Sequence, residues 1–517
     1  MKFNRTKNTT RNILFGWIYN VYQLFLGFIN RTLLIHFLGI EYLGLSSLFA
    51  SILSVLNLAE LGAGAALAYS MYKPIAENDT ERICNLLNLY KKYYRIIGTV
   101  ILIAGIAVAP FLPYLVKEEL PGGLNLYILY GMNLLTTVLT YWLFAYKSCL
   151  IMVHQRSDVN TKITMLMQTV TYVALFGVLV VYKNYYLYLG IQIVSQIVHN
   201  IITARTADKM FPDYRPRGSL PKEEVRIING RVKDLFTSKI GGTIVDSADT
   251  LVITYFLGLT PLAIYNNYFF LMTSVKKYVS VGMTSMLASL GNSMVVESKE
   301  KNYRDFNKFT FVIAWISGFC TCCFLCLFQP FMQLWVGVDK MLSYGVVVCI
   351  SIYFFVMEIN QLLNLYKEAS GYWHQDRFRP LVTALSNLTM NVITVRFWGL
   401  YGVVLSTVLS AVFIGMPWLL HNIFSTMFDR KDLAGYLRKL VGYVFHITVS
   451  CAICVGLSNL LHISNLFVTL AARLMICIIV PNIYYLICFH HKQEFKDAVA
   501  LLNHITKGKI CILEKLG

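Results

Sequence analysis

The sequence predicts an all-α membrane protein that crosses the bilayer many times. Of its 517 residues, 56% are hydrophobic and 14% are charged. So few charged side chains cannot cover the surface of a water-soluble protein of this length. Apolar stretches of about 20 residues, the length that crosses ~30 Å of hydrocarbon as a helix, recur along the whole chain. A helix satisfies its own backbone hydrogen bonds in lipid, so every span is predicted to be helical.

The apolar stretches give about fourteen predicted transmembrane helices. The first has no small-residue cleavage site and is too long for a signal peptide, so we expect it to remain in the protein. The predicted spans are 12–38, 42–72, 96–116, 124–153, 163–183, 185–204, 240–258, 262–294, 309–336, 342–366, 380–397, 399–425, 440–461 and 465–489.

The positive charge of the chain predicts its orientation. The net charge is +18, and most of the 45 Lys and Arg residues lie at the termini or in alternate gaps between the spans. Such a bias marks the cytoplasmic side of membrane proteins. We therefore expect both termini and the long polar segment 205–239 in the cytoplasm. The basic residues then contact anionic membrane lipids, and no nucleic-acid partner is expected.

A short internal repeat predicts the arrangement of the helices. LLIHFLGIEYLGL (33–45) aligns with VITYFLGLTPLAI (252–264), which places Gly39 on Gly258. This offset aligns helix one with helix seven, so each unit has six helices. Because six is an even number, the two copies cross the membrane in the same direction. We predict two parallel, pseudo-symmetric six-helix lobes around a central cavity, a transporter's architecture.

The predicted boundaries follow from this repeat. They are a first lobe at 1–204, a cytoplasmic inter-lobe loop at 205–239, a second lobe at 240–425, and two extra helices with a cytoplasmic tail at 426–517.

The spacing of the cysteines predicts no metal site, and the absence of catalytic motifs predicts that the protein is not an enzyme. CTCCFLC at 320–326 does not have the spacing of a zinc site and lies in an apolar span, so we interpret its cysteines as small apolar filler. The sequence has no phosphate-binding GxxxxGK[ST], no HExxH and no GxSxG. We therefore expect no catalytic residue, no metal and no cofactor.

Four separated segments resemble one protein family. FLGIEYLGLSSLFASILSVLNLAELGAGAALAYSMYKPIAENDTERI (37–83) resembles the signature of bacterial polysaccharide (O-unit) flippases of the multidrug, oligosaccharidyl-lipid and polysaccharide exporter superfamily. DTLVITYFLGLTPLAIYNNY from Asp249, SLGNS from Ser289 and EASGYWHQDRFRP from Glu368 follow in the same order. The similarity extends over essentially the whole chain.

The resemblance implies a function and a location. Proteins of this family move undecaprenyl-diphosphate-linked oligosaccharide across the bacterial cytoplasmic membrane by alternating access, for surface polysaccharides such as O-antigen. A polysaccharide polymerase and chain-length machinery are the implied protein partners. Two alternatives stay open, a cation-coupled multidrug exporter of the same fold and a membrane polysaccharide polymerase or glycosyltransferase. The short outer loops disfavour the polymerase.

Eight ionisable residues lie within the predicted spans. An ionised side chain at the bilayer centre costs ~2.5–3.5 kcal/mol, so such residues usually face a cavity or a partner. The bases are Arg31, Lys276, Lys277 and Arg473, and the acids are Glu60, Asp246, Asp249 and Glu358. Four bases balance four acids, which favours an anionic or zwitterionic cargo over a cationic drug. For Arg473, near the outer end of its span, we expect snorkelling to the interface.

The rise of an α-helix, ~1.5 Å per residue, gives the depth of these charges. Arg31 lies roughly 12 Å from Gly39, while Asp246 and Lys276 share a level roughly 18–22 Å from the outer ends of their helices. Asp246 and Asp249 are three residues apart and share a helical face. They are predicted either to form a structural cluster with the lysines or to act in ion coupling.

The implied cargo assigns roles to the other candidates. A diphosphate is negatively charged, and arginine can bind a phosphate through two parallel hydrogen bonds, so Arg31, Lys276 and Lys277 are the predicted phosphate ligands. Glu60 in NLAELGAG is predicted to couple ion movement or to pair with a base, and the same two roles are predicted for Glu358. The candidates for sugar contacts are Tyr265, Asn266, Tyr268 and Asn292.

Overall fold

The computed structural model describes residues 5–60, 62–116, 120, 123–372, 376–461 and 463–506. Within these ranges, the side chains of 5–14, 17, 59, 234, 237–239, 246, 285, 288 and 504–506 are not described. The described part of the chain is mostly helical and contains no strand, which confirms the all-α prediction. It forms two compact units, Met1–Ala263 and Ile264–Gly517.

Where the structure describes it, the first unit contains ten α-helices and two short 3₁₀ turns. The helices are α1 Arg5–Phe37, α2 Ile40–Leu56, α3 Ala63–Glu77, α4 Thr80–Val108, α5 Leu112–Leu115, α6 Leu126–Trp142, α7 Ala145–Val153, α8 Ser157–Val181, α9 Tyr185–Met210 and α10 Lys222–Leu257. The 3₁₀ turns are Asn57–Glu60 and Ala109–Phe111.

Side-chain caps define where several of these helices begin. The carboxylate of Asp79 accepts a hydrogen bond of 3.0 Å from the backbone N–H of Arg82, at the start of α4. Asn125 and Asn184 cap α6 and α9 in the same way. A cap of this kind satisfies one of the backbone N–H groups that a first helical turn leaves without a partner.

The two glycines of the sequence repeat share an unusual backbone conformation. Gly39, between α1 and α2, has φ 128° and ψ 165°. Gly258, after α10, has φ 98° and ψ −178°. This region of backbone space is accessible essentially to glycine alone. The repeated Phe-Leu-Gly therefore marks the same sharp connection between consecutive helices in both copies.

The second unit contains the remaining helices, and its boundary with the first falls within α11. The helices are α11 Leu259–Ser285, α12 Leu287–Val296, α13 Lys299–Val336, α14 Tyr344–Ser370, α15 Arg379–Trp398, α16 Leu400–Ser410, α17 Met416–Thr426, α18 Asp432–Asn459, α19 Leu466–Phe489 and α20 Gln493–Thr506. A π-helical turn, Ala411–Gly415, joins α16 to α17, and a 3₁₀ turn lies at Val338–Lys340.

Several predicted spans differ from the helices that form. The span predicted at 42–72 is wrong as a continuous helix, because the turn Asn57–Glu60 separates α2 from α3. The spans at 124–153 and 262–294 are bent pairs of helices, with angles of 51° and 40°. Within the described ranges, nine helices are long and apolar enough to cross a membrane, or eleven if each bent pair is one span. The count of fourteen stays a prediction.

The segment 205–239, predicted as a loop, is largely helical. Helix α9 continues to Met210 and α10 begins at Lys222, so the connection between them is short. The linker packs on α4, where the side-chain amide of Asn88 donates to the backbone oxygen of Gly218 at 2.7 Å. The predicted lobe boundaries are not tested by this arrangement and stay predictions.

Helix α20 is an amphipathic helix that packs on the second unit. Phe495 and Val499 are buried, and the ring of Phe495 stacks on Trp315 of α13 at 5.9 Å. Arg304 of α13 forms an ion pair with Asp497. The hydrogen bond from this guanidinium holds the pKa of Asp497 below its usual value. Apolar burial and charge together fix α20 along α13.

Candidate functional site

A stripe of polar side chains runs along α1 of the first unit. The amide of Gln23 donates to the hydroxyl of Tyr19 at 2.7 Å and to Oε1 of Gln168 on α8 at 2.5 Å. Two turns further on, Oδ1 of Asn30 accepts a hydrogen bond of 3.0 Å from the hydroxyl of Tyr188 on α9. Residues 19, 23 and 30 lie on one helical face. The stripe therefore joins α1 to α8 and α9 through hydrogen bonds between side chains.

Arg31 lies beside this stripe and is half-buried. The adjacent Asn30 is bonded to Tyr188, whose ring stacks on that of Tyr185 at 5.6 Å. Tyr185 in turn contacts Tyr42 of α2, with the ring centroids 5.1 Å apart. Hydroxyls, amides and aromatic rings thus line one side of this part of α1, in contrast to the apolar surface that a lipid-facing helix presents.

Glu60 ends the turn that separates α2 from α3, and it is bonded to tyrosines. The hydroxyl of Tyr94 donates to Oε1 of Glu60 at 2.9 Å, and the hydroxyl of Tyr90 donates to that of Tyr94 at 3.2 Å. A Cβ at Gly64 would lie 2.9 Å from both the Glu60 oxygen and the Tyr94 hydroxyl. Glycine at this position leaves room for the chain of hydroxyls that reaches the carboxylate.

Glu358 on α14 is a deeply buried acid of the second unit. Its side chain is 0% exposed, and neither carboxylate oxygen has a hydrogen-bond partner among the described residues. The positive charge of Lys276 on α11 acts on this carboxyl. One turn further along, Gln361 donates to the hydroxyl of Ser280 at 2.5 Å and so joins α14 to α11. The structure therefore brings Lys276 toward Glu358.

The predicted pair of Asp246 and Lys276 is not tested. The side chain of Asp246 lies outside the described residues, and α10 and Lys276 belong to different compact units. Asp249, on the same helix as Asp246, is 8% exposed. Its role and that of Asp246 stay predictions.

The remaining predicted residues of α11 and α12 differ in their exposure. Lys277 and Asn292 are exposed, and Asn266 is half-buried. Tyr265 is buried and its ring contacts that of Phe269 at 4.2 Å. These four residues do not form one continuous exposed surface.

Tyr268 holds the connection between α13 and α14 together. Its side chain is 0% exposed, and its hydroxyl donates to Oε1 of Gln329 at 3.0 Å. The same hydroxyl accepts a bond of 3.2 Å from the backbone N–H of Leu342. In this conformation, the hydroxyl of Tyr268 is engaged with the protein and is not presented to a ligand.

A buried ion cluster between α14 and α15 was not predicted from the sequence. The guanidinium of Arg379 donates to both oxygens of Asp376, at 2.6 and 2.8 Å. It also donates to Oδ1 of Asn364 at 2.7 Å, and Lys367 lies 3.1 Å from Asp376. Asp376 is 2% exposed and Arg379 is 6% exposed. The cluster ties the start of α15 to α14.

The internal repeat contained a signal for this cluster. His154-Gln155 and His374-Gln375 are 220 residues apart, close to the offset between Gly39 and Gly258. The first copy also places a buried acid after its His-Gln pair, since Asp158 is 1% exposed and lies 3.1 Å from Arg156. Extending the repeat beyond its glycines would have indicated the two charged turns.

The cysteines predicted as apolar filler pack between α13, α18 and α19. Cys322 and Cys326 are buried, and Sγ of Cys322 lies 3.3 Å from Sγ of Cys451. The cysteines of the described residues are free thiols, and no group of side chains there has the arrangement of a metal site. Arg473, expected to snorkel, donates to the backbone oxygen of Cys326 at 3.1 Å.

Comparisons with known proteins identify a family and a fold. A family model described as "Polysaccharide biosynthesis protein" matches residues 9–287, more than half of the chain. No curated protein matches the chain. The fold is similar to that of the lipid II flippase MurJ in an inward closed conformation, with a TM-score of 0.69 and 14% identity. The similarity covers 92% of this chain and 99% of that one.

Two further solved structures share the fold. An inward-facing multidrug resistance MATE family transporter of the MOP superfamily matches with a TM-score of 0.56 and 15% identity, over 79% of this chain and 95% of the other. A MOP superfamily transporter from Pyrococcus furiosus matches with a TM-score of 0.50 and 12% identity, over 83% and 94%. At such identities the similarity shows the fold and not the cargo.

Proposed function

Because the chain belongs to the polysaccharide biosynthesis protein family, we propose that it is a flippase for undecaprenyl-diphosphate-linked oligosaccharide. In this proposal it moves the repeat unit across the bacterial cytoplasmic membrane by alternating access, for the assembly of a surface polysaccharide. The family match over residues 9–287 is the observation that carries the proposal. The fold, which the chain shares with a lipid II flippase and with multidrug transporters, supports a transporter over an enzyme.

Arg31, Lys276 and Lys277 are the proposed ligands of the diphosphate. Arg31 is half-buried in a polar part of α1, and Lys276 is half-buried on α11. Fixed cations lower the cost of moving a diphosphate away from water, and a guanidinium adds two parallel hydrogen bonds to a phosphate. Tyr265, Asn266 and Asn292 are proposed to contact the sugars. Tyr268 joins them only in a conformation that releases its hydroxyl from Gln329.

Glu358 and Glu60 are the proposed sites of ion coupling. A carboxyl that is fully buried without a hydrogen-bond partner is costly in its charged form, so it favours uptake of a proton or a cation. Among the residues that the structure describes, Glu358 has these surroundings, with Lys276 as the neighbouring charge. The hydroxyls of Tyr94 and Tyr90 lead to Glu60. Asp246 and Asp249 are proposed to act with the lysines, as structural partners or in coupling.

Deletion of the gene tests the proposed function. We expect the lipid-linked oligosaccharide to accumulate in the inner leaflet and the surface polysaccharide to disappear, because the cargo is made but not moved. Mass spectrometry of the extracted lipids identifies the sugar. A deletion strain with normal surface polysaccharide and raised sensitivity to cationic drugs would instead support the multidrug exporter.

Complementation with Arg31→Ala tests the proposed phosphate ligand. We expect about a tenfold or larger loss of surface polysaccharide, because a charge-assisted hydrogen bond contributes roughly 1.5–3 kcal/mol. Arg473→Ala is the matched control, since it removes another intramembrane arginine, one that donates to a backbone oxygen. Membrane insertion of both variants is checked by immunoblotting. Normal export by Arg31→Ala would remove Arg31 from the site.

A further inference from the structure

The first unit contains a polar groove that the proposed function does not use. It lies between α3, the beginning of α4 and α10, and its volume is about 400 Å³. Pockets of roughly 300–1,000 Å³ are typical of ligand sites. The charged side chains of its lining are Lys73, Arg82, Glu224 and Arg231. The lining therefore contains three bases and one acid, a balance that favours an anion.

Two arginines are held in place around this groove. The guanidinium of Arg231 lies over the ring of Tyr69, 4.9 Å from its centroid, and donates to the hydroxyl of Ser70 at 3.3 Å. Arg82 lies 3.1 Å from Glu224. A guanidinium that is already oriented loses less side-chain entropy when it binds a phosphate. Glu224 pairs with Arg82, and Glu77 lies 3.8 Å from Lys73, which leaves the charge of Arg231 for a ligand.

The tyrosines of the groove indicate a membrane lipid as the source of the anion. Tyr69 is 63% exposed and Tyr72 is 49% exposed. Exposed tyrosines are enriched at the membrane–water interface, which is where the phosphates of lipids lie. The groove also lies at the end of the helices where basic residues cluster, and we predict that this end is cytoplasmic. Acidic phospholipids of the cytoplasmic leaflet attract such basic segments.

We propose that this groove binds the phosphate group of a membrane lipid, with Arg231 as its main ligand. Two lipids have the required chemistry, an acidic phospholipid and the lipid diphosphate cargo. The second source rests on the proposed flippase function, whereas the first does not. Because binding is measured without transport, failure of this proposal and failure of the flippase proposal are distinguishable.

The test measures lipid binding by the full-length protein. The purified protein is placed in phosphatidylcholine nanodiscs. It is titrated in separate experiments with phosphatidylglycerol, undecaprenyl diphosphate and inorganic pyrophosphate. Native mass spectrometry counts the bound lipid or pyrophosphate. We expect binding of at least one of the two lipids and about a tenfold weaker affinity for Arg231→Gln, because a charge-assisted hydrogen bond is lost. The lipid that binds identifies the source.

Arg226→Gln is the matched control. Arg226 is on the same helix, its side chain is 84% exposed, and it does not line the groove. The substitution Arg226→Gln therefore removes the same charge as Arg231→Gln and should leave the affinity for the lipid unchanged. Tyr69→Leu keeps every charge but removes the ring beneath Arg231, and we expect a weaker affinity for this variant too. Thermal unfolding of each variant verifies the fold.

Three outcomes would overturn the proposal. Equal losses for Arg231→Gln and Arg226→Gln would show general electrostatic attraction without a site. Binding of neither lipid would show that the groove takes no lipid phosphate. Pyrophosphate that binds as tightly as both lipids would show a site for a soluble anion.

Discussion

At the residue scale, the charged groups that the structure explains best are those with defined partners. Asp376 is buried, yet it accepts hydrogen bonds from Arg379 and lies beside Lys367. The desolvation of these groups is offset by the geometry of their bonds, and removal of one partner from a buried ion pair is strongly destabilising. Asp376 therefore stabilises the contact between α14 and the start of α15.

Asp376→Asn is expected to destabilise the protein by about 3 kcal/mol, because it leaves the buried Arg379 without its counter-charge. The thermal unfolding of the purified protein in detergent measures this loss. Asp339→Asn makes the same chemical change at an exposed position and should shift stability by less than about 0.5 kcal/mol. Equal shifts for the two variants would contradict a structural role for Asp376.

At the scale of a single element, the break between α2 and α3 shows how one glycine sets the start of a helix. Gly62 follows the turn Asn57–Glu60 and has φ 95°, a left-handed conformation. A Cβ at this position would lie 2.6 Å from Cβ of Leu235 on α10. Both backbone conformation and close packing therefore require glycine here. The break allows Glu60 to meet Tyr94.

Gly62→Ala is expected to lower the unfolding temperature, because the left-handed conformation costs an L-residue roughly 1–2 kcal/mol before the contact with Leu235 is added. Gly230→Ala is the matched control on α10, where nothing lies within 4 Å of the new Cβ. Alanine in a helix is favoured over glycine by about 1 kcal/mol, so this control should stabilise the protein. A Gly62→Ala variant as stable as the wild type would argue against the required conformation.

At the scale of the whole molecule, orientation follows from charge. Basic residues cluster at the termini and in alternate gaps of the sequence, which predicts that both termini are cytoplasmic. The structure adds that the linker between α9 and α10 is short, because α10 begins at Lys222.

Reporter fusions test this orientation. Fusions at the C-terminus and after Arg215 should be active as cytoplasmic reporters, because both positions follow an even number of predicted spans. A fusion after Lys183, between α8 and α9, is the control and should report the outer side. An outer C-terminus would show that the number of spans is odd and would exclude fourteen.

The sequence by itself determined the fold class, the predicted orientation and the family. These depend on average hydropathy, on the position of charges along the chain and on motifs, all of which are local in sequence. The repeated Phe-Leu-Gly also predicted two equivalent connections, and Gly39 and Gly258 share the same rare conformation.

The tertiary structure decided the partners of the charged residues and the breaks in the helices. Depth along an isolated helix did not link Lys276 with Glu358, and the packing of α11 and α14 brings the two together. Likewise, Glu60 and Tyr94 are 34 residues apart, and nothing local to either predicts their hydrogen bond. Hydrophobic periodicity fixes which residues are helical, but the neighbours of a side chain depend on how the helices rotate and cross when they pack.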